Sequence, residues 1–237
     1  MMSVLLLGFL LGMRHAVEAD HVAAVASLTT RSHSFAEAIR MGATWGVGHT
    51  LTLFLFGAIV IFSDSIIPEY MAMMLEFAVG IMLVLLGIDV IRRMRQERIH
   101  FHIHEHDEGV RHFHAHSHAG EGVHEDSSHS HTHRKKFVLR PLLVGMMHGM
   151  AGSAALIVLT LQTVESPLTG MLYILLFGVG SVAGMAALAA VIMLPLRHSA
   201  KHLTRLHHAL QVAVGIGTIT LGSYLMYEIG FVEGLIV

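Results

Sequence analysis

The first apolar stretch contains five ionisable side chains within eight consecutive residues, 14–21, whose sequence is RHAVEADH. A charged group near the middle of a bilayer costs about 2.5 to 3.5 kcal/mol on permissive insertion scales, so such residues normally face a cavity, a partner or an ion. Two imidazoles and two carboxylates together are typical ligands of a divalent transition metal. The segment therefore predicts a metal site inside the membrane.

A straight helix would not bring all of these side chains to one ion. On an ideal helix His15, Glu18 and His21 fall within an arc of about 120°, Asp20 points to the opposite side, and the two imidazoles are about 9 Å apart along the axis. Two alternatives follow. Either the helix unwinds within residues 16–20, as broken transporter helices do at their sites, or the side chains serve successive positions along a path.

The four side chains have different expected roles. We expect His15 and His21 to be metal ligands, and Asp20 to be either a ligand or the partner that orients a ligating imidazole. Glu18 is a weaker ligand candidate, because Arg14 lies four residues earlier on the same helical face and an ion pair would neutralise both groups.

Two further histidines lie inside apolar stretches. His49 follows two glycines that let helices approach closely, and its expected depth matches that of His15, so we predict it as a ligand. His148 has no acidic residue beside it and is either a ligand or a packing or pathway histidine. Glu76, near the outer end of the third apolar stretch, is a candidate for lining an entrance.

The composition is that of a membrane protein with several spans. Hydrophobic residues make up 54% of the chain, charged residues 14%, and the mean hydropathy is +0.63. No cysteine is present, which excludes thiolate ligands and thiol redox chemistry. No motif indicates an organic cofactor or binding to nucleic acid. Because a span needs about 20 apolar residues, we predict an all-α fold with six transmembrane helices, at about 3–28, 37–62, 71–92, 138–163, 170–194 and 207–228.

The third and fourth predicted spans are joined by a polar segment over residues 94–136. It contains twelve histidines between His100 and His133 and too few apolar residues to form a core, so we expect it to be disordered alone. A mobile chain of this kind can gather several imidazoles around a metal ion. It is either a metal reservoir or sensor, or a solvated linker. The chain thus divides into units at 1–93, 94–136 and 137–237.

Basic residues predict the orientation in the membrane. Fourteen of the fifteen Lys and Arg side chains flank the predicted spans on one side, and Arg14 is the exception. The positive-inside rule then places the His-rich segment in the cytoplasm and both termini outside the plasma membrane.

The two outer units resemble each other weakly but in order. Gly12-Met13-Arg14-His15 recurs as Gly145-Met146-Met147-His148, residues 45–49 recur at 177–181, and residues 78–81 recur at 213–216. The offsets of 133, 132 and 135 residues are nearly constant. With three helices each, the second copy must be inverted in the membrane, which predicts a 3+3 inverted repeat, an arrangement common in secondary transporters.

Residues 11–21 resemble the RHAxDADH signature of the nickel/cobalt transporter family, and Val47-Gly48-His49-Thr50 resembles its second motif. Residues 145–156 are similar to the HGLAGSAAL segment of the UreH-type branch. Glu18 stands where the family usually has Asp, two later acidic motifs of longer members are absent, and the His-rich segment is similar to that of related efflux proteins. The resemblance implies nickel supply to urease or hydrogenase, with cytoplasmic nickel chaperones of their maturation as partners.

The residues and the resemblance together predict a secondary permease, not an enzyme, which takes up Ni²⁺ or alternatively Co²⁺ as its substrate. Its expected metal site comprises His15, Glu18, Asp20, His21, His49 and His148. The rival hypotheses are an efflux protein that collects metal with its cytoplasmic segment and a metal-sensing membrane protein. An intramembrane metalloenzyme is disfavoured, because the chain has no HExxH motif.

Overall fold

A computed structural model of the chain describes residues 2–32, 34–63, 68–96, 99–105, 111–117, 134–151, 166–202 and 204–236. These residues form seven α-helices: α1 Met2–His15, α2 Ala19–Thr29, α3 Phe35–Ser63, α4 Glu69–Gln96, α5 Arg134–Ala151, α6 Pro167–His202 and α7 Thr204–Tyr227. A π-helix, Glu228–Val232, continues α7. The strands β1 Ile99–Glu105 and β2 Arg111–Ser117 lie between α4 and α5.

Within the described part of the chain, four helical segments are long and apolar enough to cross a membrane. They are Phe35–Phe62, Glu69–Gln96, Pro167–Ser199 and Leu206–Val232. Large apolar side chains such as Leu51, Leu85 and Val191 are more than half exposed, which suits helices that face lipid rather than water. The chain is therefore a membrane protein whose core is helical.

The four long segments coincide with four of the six predicted spans. The first predicted span, 3–28, is divided between α1 and α2. The predicted span 138–163 begins within α5, and residues 152–163 lie outside the described part of the chain.

Two strands lie within the segment 94–136, which the sequence predicted to be disordered alone. β1 and β2 pair antiparallel, with His100 opposite His116 and His104 opposite His112. Histidine alternates with other residues here, and this period of two matches the geometry of a strand. Helices α4 and α5 also extend into the two ends of the segment. Its disorder when isolated stays a prediction.

Close contacts between helix backbones position the centre of the protein. α3 packs against α5 and α6, α1 packs against α6, and α4 packs against α7. A β-carbon on Gly145 would overlap the carbonyl oxygen of Trp45, and a β-carbon on Gly12 would overlap that of Phe177. Helices in a membrane approach this closely only where small residues face the neighbour. The two glycines therefore bring α1, α3, α5 and α6 together around the predicted metal site.

Candidate metal centre

The first apolar stretch is broken within the predicted site. α1 ends at His15 and α2 begins at Ala19, with Glu18 in an extended conformation (φ −64°, ψ 150°). The amides of Val17 and Glu18 donate three residues back, to Arg14 and His15 carbonyl oxygens, at 3.0 and 3.1 Å. The helix thus tightens and ends, and of the two alternatives left open by the sequence the structure shows the first, a break within residues 16–20.

The break brings four histidines together in the interior. The ring centroids of His15 and His21 are 4.2 Å apart, and those of His21 and His148 are also 4.2 Å apart. His49 lies 5.3 Å from both His15 and His21, and 5.8 Å from His148. All four are buried, His49 completely. The structure thus brings four of the predicted ligands into one cluster.

Asp20 lies between two of the imidazoles. Its Oδ1 accepts hydrogen bonds from Nδ1 and the backbone amide of His21, both at 2.8 Å. Its Oδ2 is 3.0 Å from Nε2 of His148. A carboxylate that accepts from one ring nitrogen fixes the tautomer, so the other ring nitrogen carries the lone pair that binds metal. Asp20 thus orients His21 and His148 and remains close enough to be a ligand itself.

Several ring nitrogens in this cluster have no hydrogen-bond partner among the described residues. They are Nε2 of His15, Nε2 of His21, both nitrogens of His49 and Nδ1 of His148. A buried polar group without a partner carries a desolvation cost of about 1 to 3 kcal/mol. Several such atoms at one place are what a metal-binding site requires, because a lone pair that is already used cannot coordinate an ion.

The candidate ligand atoms form two overlapping groups that share His21. One group is His15, His21 and His49, the other is Asp20, His21 and His148, and in each group the ligand atoms lie within 4.8 Å of one another. Two nitrogens on one metal ion are at most about 4.2 Å apart, because each metal–nitrogen bond is about 2.1 Å. Small side-chain rotations would therefore close either group around an ion.

Glu18 contacts His15 and is more exposed than the four imidazoles. It accepts a hydrogen bond from Nδ1 of His15 at 2.9 Å and its side chain is 57% exposed. The pair with Arg14 that the sequence suggested is replaced by this contact, since the end of α1 at His15 removes the i,i+4 spacing. Glu18 therefore orients His15 in the way that Asp20 orients His21.

A cavity of about 340 Å³ adjoins the histidine cluster. His15, His21 and His148 line its floor with Asp20, and Glu18, Glu76, Val79, Leu225 and Ile229 are among its other lining residues. A water molecule takes about 30 Å³ of liquid, so the cavity has room for an ion with its hydration shell. Glu76, the candidate for lining an entrance, is thus a lining residue of this cavity, and its role at an entrance stays a prediction.

Two aromatic side chains that were not predicted as site residues lie against the histidine cluster. The Trp45 ring centroid is 5.3 Å from those of His21 and His148, and that of Phe177 is 5.2 Å from His15. Trp45 is the sole tryptophan of the chain and lies one helical turn before His49. That spacing was the available signal, because residues four apart share a helix face.

The chain is similar over nearly its whole length to a protein named Urease accessory protein UreH, from Bacillus sp. (strain TB-90). The two are 37% identical over 235 residues, and the alignment covers 99% of this chain and 95% of that protein. No family model and no solved structure matches the chain.

Proposed function

The chain belongs to the family of the urease accessory protein UreH, and we propose on this basis that it is a permease that carries Ni²⁺, or alternatively Co²⁺, into the cytoplasm. The observation that carries the proposal is the group of four buried imidazoles inside a membrane protein. An accessory protein is not the enzyme that it assists, which agrees with the expectation that this chain is no enzyme. The link to urease accounts for nickel as the substrate.

The two overlapping ligand groups suggest how the ion moves. His15, His21 and His49 supply three neutral nitrogens, the ligands that borderline divalent metals prefer. Asp20, His21 and His148 offer a second position that includes a negative charge. Because His21 belongs to both groups, the ion passes from one position to the other without losing all of its protein ligands. Glu18 and Asp20 keep the ring nitrogens correctly oriented.

We further propose the six-span architecture with a 3+3 inverted repeat. Two pairs of contacts support it. Gly12 meets Phe177 as Gly145 meets Trp45, and these residues correspond through the offsets of 133 and 132. His15 lies 5.2 Å from Phe177, and its equivalent His148 lies 5.3 Å from Trp45. Equivalent contacts on both sides are the expected result of a pseudo-twofold axis through the site.

The direction of transport follows from electrostatics. With both termini outside and the His-rich segment inside, an inside-negative potential draws a divalent cation inward by about 4.6 kcal/mol per 100 mV. This corresponds to a concentration ratio of about 2,000. The chain has no Walker motif, and such a driving force makes ATP unnecessary. Released metal then reaches the cytoplasmic chaperones that serve urease maturation.

Reconstituted vesicles test substrate, direction and site together. Under an imposed inside-negative potential we expect saturable uptake of Ni²⁺, which is strongly reduced in His15→Ala and His49→Ala. Radioactive nickel retained by the vesicles is the measurement, and vesicles without protein give the baseline. Lower nickel content and greater nickel tolerance of cells that express the protein would instead establish efflux. Metal binding without flux would establish a sensor.

Deleting residues 100–133 is expected to leave transport detectable but to change its capacity or its dependence on metal concentration. The twelve histidines of this segment bind metal on the cytoplasmic side, so they buffer the ion after it crosses rather than carry it across. Initial uptake rates over a range of Ni²⁺ concentrations are the measurement. Complete loss of flux in a deletion variant that still folds would place the segment in the transport path.

A further inference from the structure

We propose that an ion-pair cluster around Asp89 is the cytoplasmic gate of the transport path, and that this structure shows the gate closed. The proposal rests on the transport function proposed above. Three arginines converge on a single oxygen of Asp89: Arg31 Nη2 at 2.6 Å, Arg93 Nε at 3.2 Å and Arg140 Nη2 at 3.2 Å. The first and shortest of these is a charge-assisted hydrogen bond.

The cluster joins three separate parts of the chain. Arg31 follows the end of α2, Asp89 and Arg93 lie on α4, and Arg140 lies on α5. Arg93 also donates from Nη2 to Thr30 Oγ1 at 3.0 Å, which ties the end of α2 to α4 a second time. Arg140 is the member that comes from the second predicted repeat. Movement of one repeat against the other would therefore break the contact between Arg140 and Asp89.

The cluster and the cavity lie toward opposite ends of α4. Glu76 and Val79 line the cavity, and Asp89 follows Val79 by ten residues, a distance of about 15 Å along the helix. Between the two levels, Leu28, Leu83 and Leu86 are buried in the core. The metal centre is thus accessible from the end that carries Glu76, while apolar packing and the ion pairs close the other end.

Helix α2 connects the metal centre directly to the cluster. Asp20 and His21 are in its first turn, and Thr30 and Arg31 follow its last residue. An ion that binds His21 and draws it inward therefore displaces the residues that hold the cluster, because a helix of three turns moves as a rigid body. The ion pairs are suited to breaking and re-forming, since their side chains are between 22% and 38% exposed and water can replace each contact.

Among the residues that the structure describes, no equivalent ion pair joins the corresponding positions at the opposite end. The offsets of the repeat place Tyr224 at the position of Asp89 and Leu7 at that of Arg140. Both side chains are more than half exposed. The ion pairs close one end of the path, and within the described chain no ion pair closes the equivalent place at the other end. This difference explains why the cavity lies on the side of Glu76.

Cysteine labelling tests the gate without requiring flux, because it measures accessibility. The natural chain has no cysteine, so a single introduced cysteine is the residue that reacts. Leu225→Cys reports on the cavity and Leu28→Cys on the closed side. We expect Asp89→Asn to slow labelling of Leu225→Cys from outside and to speed labelling of Leu28→Cys from the cytoplasmic side. Each rate, measured with a membrane-impermeant maleimide on oriented vesicles, is expected to change by about fivefold or more.

Milder variants provide the controls. Arg140→Gln removes one contact and is expected to change each labelling rate in the direction in which Asp89→Asn changes it. Arg140→Lys is expected to restore both rates. Arg92→Gln, which removes a neighbouring charge, is expected to change neither. Unchanged rates in folded Asp89→Asn and Arg140→Gln would overturn the gate, as would labelling of Leu225→Cys from the cytoplasmic side alone. If the rates shift but vesicles transport no metal, the gate stands and the transport proposal fails.

Discussion

His21→Ala is expected to abolish saturable Ni²⁺ uptake, with a larger loss than any other single substitution at the metal centre. His21 is the member that both ligand groups share, and it is 1% exposed, so water cannot easily take its place. Removing only a residue that orients a ligand typically costs about 10- to 100-fold in metal affinity, so loss of the ligand itself should exceed this. Initial uptake rates in vesicles under an imposed potential measure the effect.

A second readout separates lost binding from lost folding. An ion that binds only the folded state stabilises it, by about 2.7 kcal/mol when its concentration is 100 times its dissociation constant. We expect Ni²⁺ to raise the unfolding temperature of the wild type and not that of folded His21→Ala. His198→Ala, at an exposed histidine near the end of α6, is the matched control and should behave as the wild type. A wild-type KM in His21→Ala would contradict the proposed site.

Physical constraints within one segment predicted the break in the first apolar stretch as one of two alternatives. His15 and His21 are too far apart along a straight helix to serve one ion, and the structure resolves the conflict by ending α1 at His15. The depth of His49 was also predictable, because counting residues from the end of a span gives position along its axis. These two facts place the three imidazoles at a similar depth.

The role of His148 depended on information that the sequence does not contain. Without an acidic residue nearby in sequence it was a weak ligand candidate, yet it contacts Asp20 from another helix. Which face of α5 meets α2 is set by packing between helices, which periodicity does not determine in a span that is apolar on every side. The contact of Glu18 with His15, rather than with Arg14 as the sequence suggested, likewise depended on where α1 ends.

Gly145→Ala is expected to destabilise the protein and to stop transport. The new β-carbon would overlap the carbonyl oxygen of Trp45, which belongs to the α3 backbone and cannot turn aside as a flexible side chain would. Forcing extra atoms into a packed interior costs about 1 to 3 kcal/mol. His148 lies one turn further along α5, so separating α5 from α3 also moves its ring away from His49. Thermal unfolding in detergent and Ni²⁺ uptake in vesicles measure the two effects.

Gly217→Ala is the matched control, because a β-carbon on this glycine of α7 meets nothing within 4 Å. Alanine in an open helical position is expected to stabilise the protein by about 0.5 to 1 kcal/mol relative to glycine. Gly12→Ala should resemble Gly145→Ala, since its β-carbon would overlap the Phe177 carbonyl oxygen in the equivalent contact of the proposed repeat. If Gly145→Ala unfolds at the same temperature as Gly217→Ala, the close approach of α3 and α5 does not hold the metal centre together.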